Sequence, residues 1–230
     1  MLPQVDPTSV FVVIPAFNEE PVIRTVLLEL VPLHYSLVIV DDGSDTELKK
    51  HLQEYPVSVL RHSVNLGQGA ALQTGIEYAL SRQAKFIVTY DADGQHLASD
   101  IERMLEPLLL GETDITLGSR FMSETNRVPA GRKWLLHAGR YFNYFFTGLM
   151  LTDAHNGLRA MTAGAASKIR LRQSGMAHAT EILSEIKKHK LRYREIPVTI
   201  RYTDYSKQKG QKVWSSFRIF FDILLNKIFR

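Results

Sequence analysis

Apolar residues in the first half of the chain follow two alternating rhythms. Short runs rich in β-branched residues, Val10 to Ile14, Leu37 to Val40, Val57 to Leu60, Phe86 to Tyr90 and Ile115 to Leu117, read as strands. Between them apolar positions recur at helical spacing, as in Val22, Ile23, Val26, Leu27, Leu30 and Val31, after a helix start marked by Glu19, Glu20 and Pro21. A polar helix is predicted over Thr46 to Glu54 and a small-residue helix over Gly69 to Ser81. Ser99-Asp100-Ile101-Glu102 has the form of a capping box opening a helix to about Leu110. Strands separated by helices predict an α/β fold, a mostly parallel sheet with helices on both faces. In such sheets ligands bind at the carboxyl ends of the strands.

The second half is less regular. Thr125 to Leu151 mixes basic and aromatic residues, Gly164 to Lys190 reads as helical, and Leu191 to Arg201 as a strand or strand pair. No internal repeat is evident, so one domain is expected over residues 1–210, followed by an amphipathic helix over 211–230. In that helix Ser215, Arg218, Asp222, Asn226 and Arg230 keep to one face and Trp214, Phe217, Phe220, Phe221, Leu224, Leu225, Ile228 and Phe229 to the other. It is too short and too charged to span a bilayer; it suits a membrane surface or a membrane partner, or else packing on its own core. His137 to Phe146 is a second candidate interfacial stretch.

Composition narrows the choices. A chain of 230 residues with 45% apolar and 23% charged positions can bury one sizeable core. The absence of cysteine excludes disulfides, thiolate catalysis and cysteine-ligated zinc. A net charge of +4 suits phosphorylated ligands or an anionic surface. Without an aromatic-basic platform or helix-turn-helix pattern, nucleic acid is not an expected partner. Met1 to Ser9 lacks the basic and apolar regions of a secretory signal, so a cytoplasmic location is expected.

The segments that follow the strands carry the chemistry. Tyr90-Asp91-Ala92-Asp93-Gly94-Gln95-His96 places two carboxylates one residue apart at the end of a buried strand. Oxygen ligands of this kind suit a hard cation, Mg2+ or Mn2+, that bridges phosphates, with Gln95 or His96 to complete its shell. Asp41-Asp42-Gly43-Ser44-Asp45 offers carboxylates to a base or to ribose hydroxyls, and Asn65-Leu66-Gly67-Gln68-Gly69-Ala70 is a turn whose amides can approach phosphate. Each composition also suits an ordinary turn. Their shared position after strands favours a ligand site.

Taken in order, these segments resemble the family 2 glycosyltransferases of GT-A fold, and within them the dolichyl-phosphate mannose synthase-like, polyprenyl-phosphate branch. The resemblance rests on Pro15-Ala16-Phe17-Asn18-Glu19-Glu20, the Asp41 to Asp45, Asn65 to Ala70 and Asp91 to His96 segments, Gly118-Ser119-Arg120 and Asn156-Gly157-Leu158-Arg159. It implies a nucleotide-sugar pocket lined by Pro15, Ala16, Asn18, Glu19, Asp42, Gly69, Asp91, Ala92 and Asp93. It further implies a metal held by Asp91, Asp93 and Gln95, and an acceptor phosphate held by Arg120, Arg132 and Arg140. Asp93, Arg120 and Arg132 would then act in the transfer itself.

The implied reaction is inverting transfer of a sugar from a nucleotide sugar to a polyprenyl phosphate at the inner face of the membrane, with a small membrane subunit as a further partner. A phosphate nucleophile needs no general base, because its second pKa lies near ~6. Two other readings remain: transfer to a saccharide hydroxyl, for which Asp153 or Glu181 is the candidate base, and a non-catalytic nucleotide-sugar-binding scaffold. Gln211-Lys212-Val213-Trp214 lacks the arginine and spacing of the Gln-x-x-Arg-Trp motif of processive synthases, which argues against a polymerase.

Overall fold

The computed structural model describes residues 5–122, 141, 144, 148–173, 175 and 177–201. Arg132, Arg140 and the proposed helix over 211–230 lie outside the described residues, as does most of the 137–146 stretch.

The described residues form seven strands: β1 (Val10–Ala16), β2 (Ser36–Asp41), β3 (Val57–Arg61), β4 (Phe86–Thr89), β5 (Ile115–Ser119), β6 (Arg159–Thr162) and β7 (Tyr193–Pro197). They build one sheet in the order β3-β2-β1-β4-β6-β5-β7. The pairs β1–β2, β1–β4, β2–β3 and β5–β7 are parallel, whereas β6 runs antiparallel to both β4 and β5. The helices are α1 (Glu20–Leu30), α2 (Leu48–His51), α3 (Gln68–Ser81), α4 (Asp100–Leu109), α5 (Ala163–Ala166) and α6 (His178–Lys188).

Alternate residues of β1 feed two separate cores. Val10, Val12 and Ile14 face a cluster containing Ile23, Val26 and Leu27 of α1 and Ile101, Met104 and Leu105 of α4. Phe11 and Val13 face a cluster containing Leu72 and Ile76 of α3 and Ile182, Leu183 and Ile186 of α6. Burial on both faces explains why these strands read as continuous apolar runs rather than as alternating ones. α3 lies tightly on the sheet because residue 75 is glycine; a Cβ there would overlap Val13 Cγ1.

Several local expectations change in the structure. The polar helix shrinks to the four residues of α2. Ser99 precedes α4 with no side-chain cap, and the Asp100 carboxylate instead accepts from Thr199 N at 2.8 Å, tying the helix start to the chain after β7. Among the described residues after α5, none is helical before His178. There Leu171 N donates to Gln73 Oε1, and Arg172 N and Gln173 N donate to Glu181 Oε2, so side chains satisfy amides that a helix would have paired. The second half of the sheet also contains β6, a strand that apolar periodicity does not mark.

The strand order places β2 and β4 on opposite sides of β1. The chain runs from β1 outward to β2 and β3, then crosses back to β4. This reversal opens a crevice beyond the carboxyl ends of β1 and β4, the usual place for a ligand in an open α/β sheet.

Candidate active site

Three loops meet at that crevice. Asn18, which follows β1, takes a left-handed backbone (φ 55°), a conformation asparagine tolerates. Its amide N donates to Ser44 Oγ at 3.0 Å, its Nδ2 donates to Asp45 Oδ2 at 3.1 Å, and Asp45 N returns a bond to its Oδ1 at 2.9 Å. The loop after β1 is thereby fastened to the loop after β2. Pro15 and Ala16 end β1 fully inside the sheet, and Glu19 is buried at the start of α1.

The two acids after β2 both organise loops. Asp41 receives Ser44 N, Leu48 N and the Arg61 guanidinium. Asp42 receives Leu66 N at 2.9 Å, Gly67 N at 2.7 Å and His62 Nδ1–H at 2.7 Å, while His62 Nε2 lies 2.9 Å from Thr74 Oγ1. Asp42 thus stands at the crevice and fixes the glycine turn before α3. Gly69 is dictated by packing, since a Cβ there would run into Gln173 O.

The acidic pair follows β4. Asp91 accepts from Gln68 Nε2 at 3.0 Å through Oδ1 and from His96 Nε2–H at 3.1 Å through Oδ2. His96 is buried edge-on against Tyr90, and its backbone carbonyl accepts from Tyr90 O–H and Arg201 Nη2. It stands behind Asp91 as an orienting donor. Gln95 is fixed by its backbone: its N–H donates to Asp93 Oδ1 at 3.0 Å and its carbonyl accepts from Arg201 N at 2.8 Å. Ala92 is buried between the two acids.

The pair is electrostatically split. Burial works against ionisation of Asp91, but the His96 hydrogen bond and charge, with the positive charge of Arg159, outweigh it and hold its carboxyl below the usual value. Burial and the neighbouring Asp91 charge push Asp93 up to about 6. Two crowded carboxylates with oxygen donors only are what a hard divalent cation relieves. Among the described residues no group of three or more acidic or histidine side chains is assembled as a metal cage. Mg2+ and its relatives are commonly held by one or two carboxylates together with substrate phosphates, so the residues present fit such an ion.

On the other side of the crevice β5 ends at Ser119, and Arg120 follows. Arg120 donates through N (3.1 Å) and Nε (2.6 Å) to Asp153 Oδ2. Asp153 N and Thr152 N donate to Glu195 Oε1 of β7 at 3.1 and 2.8 Å, and Thr152 Oγ1 lies 2.6 Å from both Glu195 Oε1 and Ser119 Oγ. The two sides of the crevice are joined by β6, whose first residue, Arg159, is buried and is electrostatically coupled to both Asp91 and Asp153. Burial pushes its guanidinium down to about 10, so it remains a cation at neutral pH.

The structure thus places Pro15, Ala16, Asn18, Glu19, Asp42, Asp91, Ala92, Asp93, Gln95 and Arg120 at or just after the carboxyl ends of β1, β2, β4 and β5, and Gly69 at the start of α3. The supporting roles of His62, Gln68, His96, Asp153 and Glu195, and the burial of Arg159, depend on contacts across the fold. His96, Gln68 and Asp153 stood in segments the sequence singled out, though for other roles; Arg159 carried a further local signal, a charge at the head of the otherwise apolar Leu158-Arg159-Ala160-Met161 run.

A mostly parallel sheet with an acidic pair after the strand at its reversal is the GT-A architecture of nucleotide-sugar transferases. The structure superposes on glucosyl-3-phosphoglycerate synthase from Mycobacterium tuberculosis, solved with Mn2+, UDP and glucosyl-3-phosphoglycerate. The TM-score is 0.62 at 17% identity, over 87% of this chain and 75% of that one. The family model for glycosyl transferase family 2 matches residues 11–170. The chain belongs to that family and is a glycosyltransferase. It is 31% identical to the UDP-N-acetylglucosamine–dolichyl-phosphate N-acetylglucosaminyltransferase of Methanococcus voltae, over 95% of this chain and 96% of that protein. It is 29% identical to the undecaprenyl-phosphate mannosyltransferase of Micrococcus luteus, over 87% and 88%. An uncharacterized protein of Methanocaldococcus jannaschii is 37% identical over 98% and 95%.

Proposed function

We propose that this glycosyltransferase moves a sugar from a nucleotide sugar to a polyprenyl phosphate, with inversion at the anomeric carbon. The observation that carries this reading is the Arg120–Asp153 pair. The carboxylate most available as a general base in a saccharide-directed enzyme is occupied by Arg120 Nε, Arg120 N and, at 3.4 Å, Asn156 Nδ2. Glu181, the other candidate, accepts two backbone amides. With both acids engaged in structure, a nucleophile already ionised near neutral pH suits the site better than a hydroxyl that must lose a proton.

In this reading Asp91 and Asp93 hold Mg2+ or Mn2+, which when bound neutralises the charge that builds on the departing nucleoside diphosphate. His96 and Gln68 keep Asp91 aimed at the crevice. Asn18, Glu19 and Asp42, with the glycine turn that Asp42 orders, shape the nucleotide pocket. Arg120, with Arg132 and Arg140, orients the acceptor phosphate for attack on the anomeric carbon from the face opposite the leaving group. The acceptor sits in a bilayer, so the protein works at the membrane surface, at its inner face, with a small membrane subunit as a further partner. Among the described residues no helix is long and apolar enough to cross a membrane.

The test is transfer of label from a panel of radiolabelled nucleotide sugars to undecaprenyl phosphate, with Mn2+ or Mg2+ and with EDTA. Label in the lipid phase, lost on chelation, is expected and identifies the sugar. Label that stays in water while the nucleotide sugar still binds would sink the lipid-acceptor reading.

A further inference from the structure

The assigned donor and acceptor groups leave one buried charge unexplained. Arg159 opens β6 in register with Thr89 of β4 and Leu117 of β5, at the end of the sheet that bears Asp91 and Arg120. The whole residue is 2% exposed. Its Nη1 is buried with no hydrogen-bond partner, and Arg159 makes no ion pair among the described residues. Its electrostatic neighbours are Asp91 after β4, Asp153 and His155 in the loop before β6, and His178 at the head of α6. His178 stays neutral, driven down to about 4 by burial and then by the Arg159 charge.

A guanidinium kept only to fill space would be a poor choice here. An apolar side chain of similar volume avoids the desolvation cost and leaves no donor unpaired. The cation also lies between the two parts of the crevice where phosphates are expected. Preorganised positive charge in a water-poor site acts strongly on charge that develops there. We propose that Arg159 is a phosphate-binding residue at the end of the sheet that bears Asp91 and Arg120, whose unpaired Nη1 takes an oxygen of a substrate phosphate. This rests on the reading of the site as one that handles a nucleoside diphosphate and a phosphate acceptor. The shared chemistry is a phosphate oxygen, either from the departing diphosphate or from the acceptor monophosphate.

The experiment uses the full chain with Arg159→Met and Arg159→Lys. Thermal melting reports the fold, calorimetric titration with UDP and with GDP in the presence of Mn2+ reports the donor side, and KM for a short polyprenyl phosphate reports the acceptor side. Arg159→Met is expected to melt at or above the wild-type temperature while at least one phosphate constant worsens roughly tenfold or more, the scale of one lost charge-assisted hydrogen bond. Arg159→Lys is expected to recover part of that loss. Weaker UDP or GDP binding assigns the contact to the leaving diphosphate; a raised acceptor KM with unchanged nucleotide binding assigns it to the acceptor. A Met variant that fails to fold or melts well below wild type makes Arg159 structural and overturns the proposal, as does a stable variant with both constants unchanged. If the wild-type protein transfers nothing to a phosphate acceptor, the acceptor reading falls, but the nucleotide titration still decides Arg159.

Discussion

Gly157 and Asp91 compete for one space: a Cβ on residue 157 would overlap Oδ2 of the Asp91 carboxylate. The loop cannot easily give way, because Thr89 Oγ1 donates to Gly157 O at 2.7 Å, just before β6 begins. Gly157→Ala should therefore push Asp91 off its bonds from Gln68 and His96 while leaving both cores intact. The expected result is a well-folded protein whose Mn2+-supported nucleotide binding falls about tenfold or more, the cost of a displaced charged ligand. Calorimetry beside a melting curve separates the two effects; unchanged binding would remove Asp91 from the metal pair.

In the proposed reading Arg120 serves the acceptor rather than the donor. Its guanidinium is held by Asp153, whose backbone N–H in turn donates to Glu195. Arg120→Ala should raise KM for the lipid phosphate by roughly 10- to 100-fold, one or two charge-assisted bonds, and leave UDP or GDP affinity near wild type. Asp153→Asn should loosen the same arginine and raise the same KM by less. A parallel loss of nucleotide affinity in Arg120→Ala would place this residue on the donor side instead.

Much of this was legible along the chain because parallel strands buried on two faces leave unbroken apolar runs, and because loops after strands carry the ligand chemistry. β6 was not legible. Arg159-Ala160-Met161-Thr162 has no β-branched run, and its strand character comes from pairing with β4 and β5, far away in sequence. The break in the helix expected over Gly164 to Lys190 has a similar cause. Its amides are taken by Gln73, which is distant in sequence, and by Glu181. The acids of the site were visible, but what holds them was not: His96 against Asp91 and His62 against Asp42 are contacts that only the fold creates.

Gly75 tests the sheet without touching the crevice. Alanine there drives a methyl into Val13 Cγ1 on the face where α3 packs. Overpacking of this kind costs about 1–3 kcal/mol. For a domain of this size that lowers the melting temperature by roughly 2–4 °C per kcal/mol. Turnover per folded molecule at low temperature should be unchanged. A loss of turnover without loss of stability would mean that α3 communicates with the site through the glycine turn at its start.

Asp93 gives the site a pH dependence whose sign differs with and without the cation. Its carboxyl is raised from 3.8 to about 6, by burial first and by the Asp91 charge second. In the metal-free protein the folded state therefore keeps a proton between about pH 4 and 6 that the unfolded chain has released, so stability falls as pH rises through that window. A divalent cation needs the ionised form and must displace this proton below about pH 6. Mn2+ affinity should then drop by up to about tenfold per pH unit below that point and level off above it. Calorimetry in buffers of different ionisation enthalpy should detect up to one proton released per ion bound below the break. Asp93→Asn should bind Mn2+ weakly and without the break. A wild-type affinity that stays flat from about pH 5 to 7.5 would show that the cation does not reach Asp93.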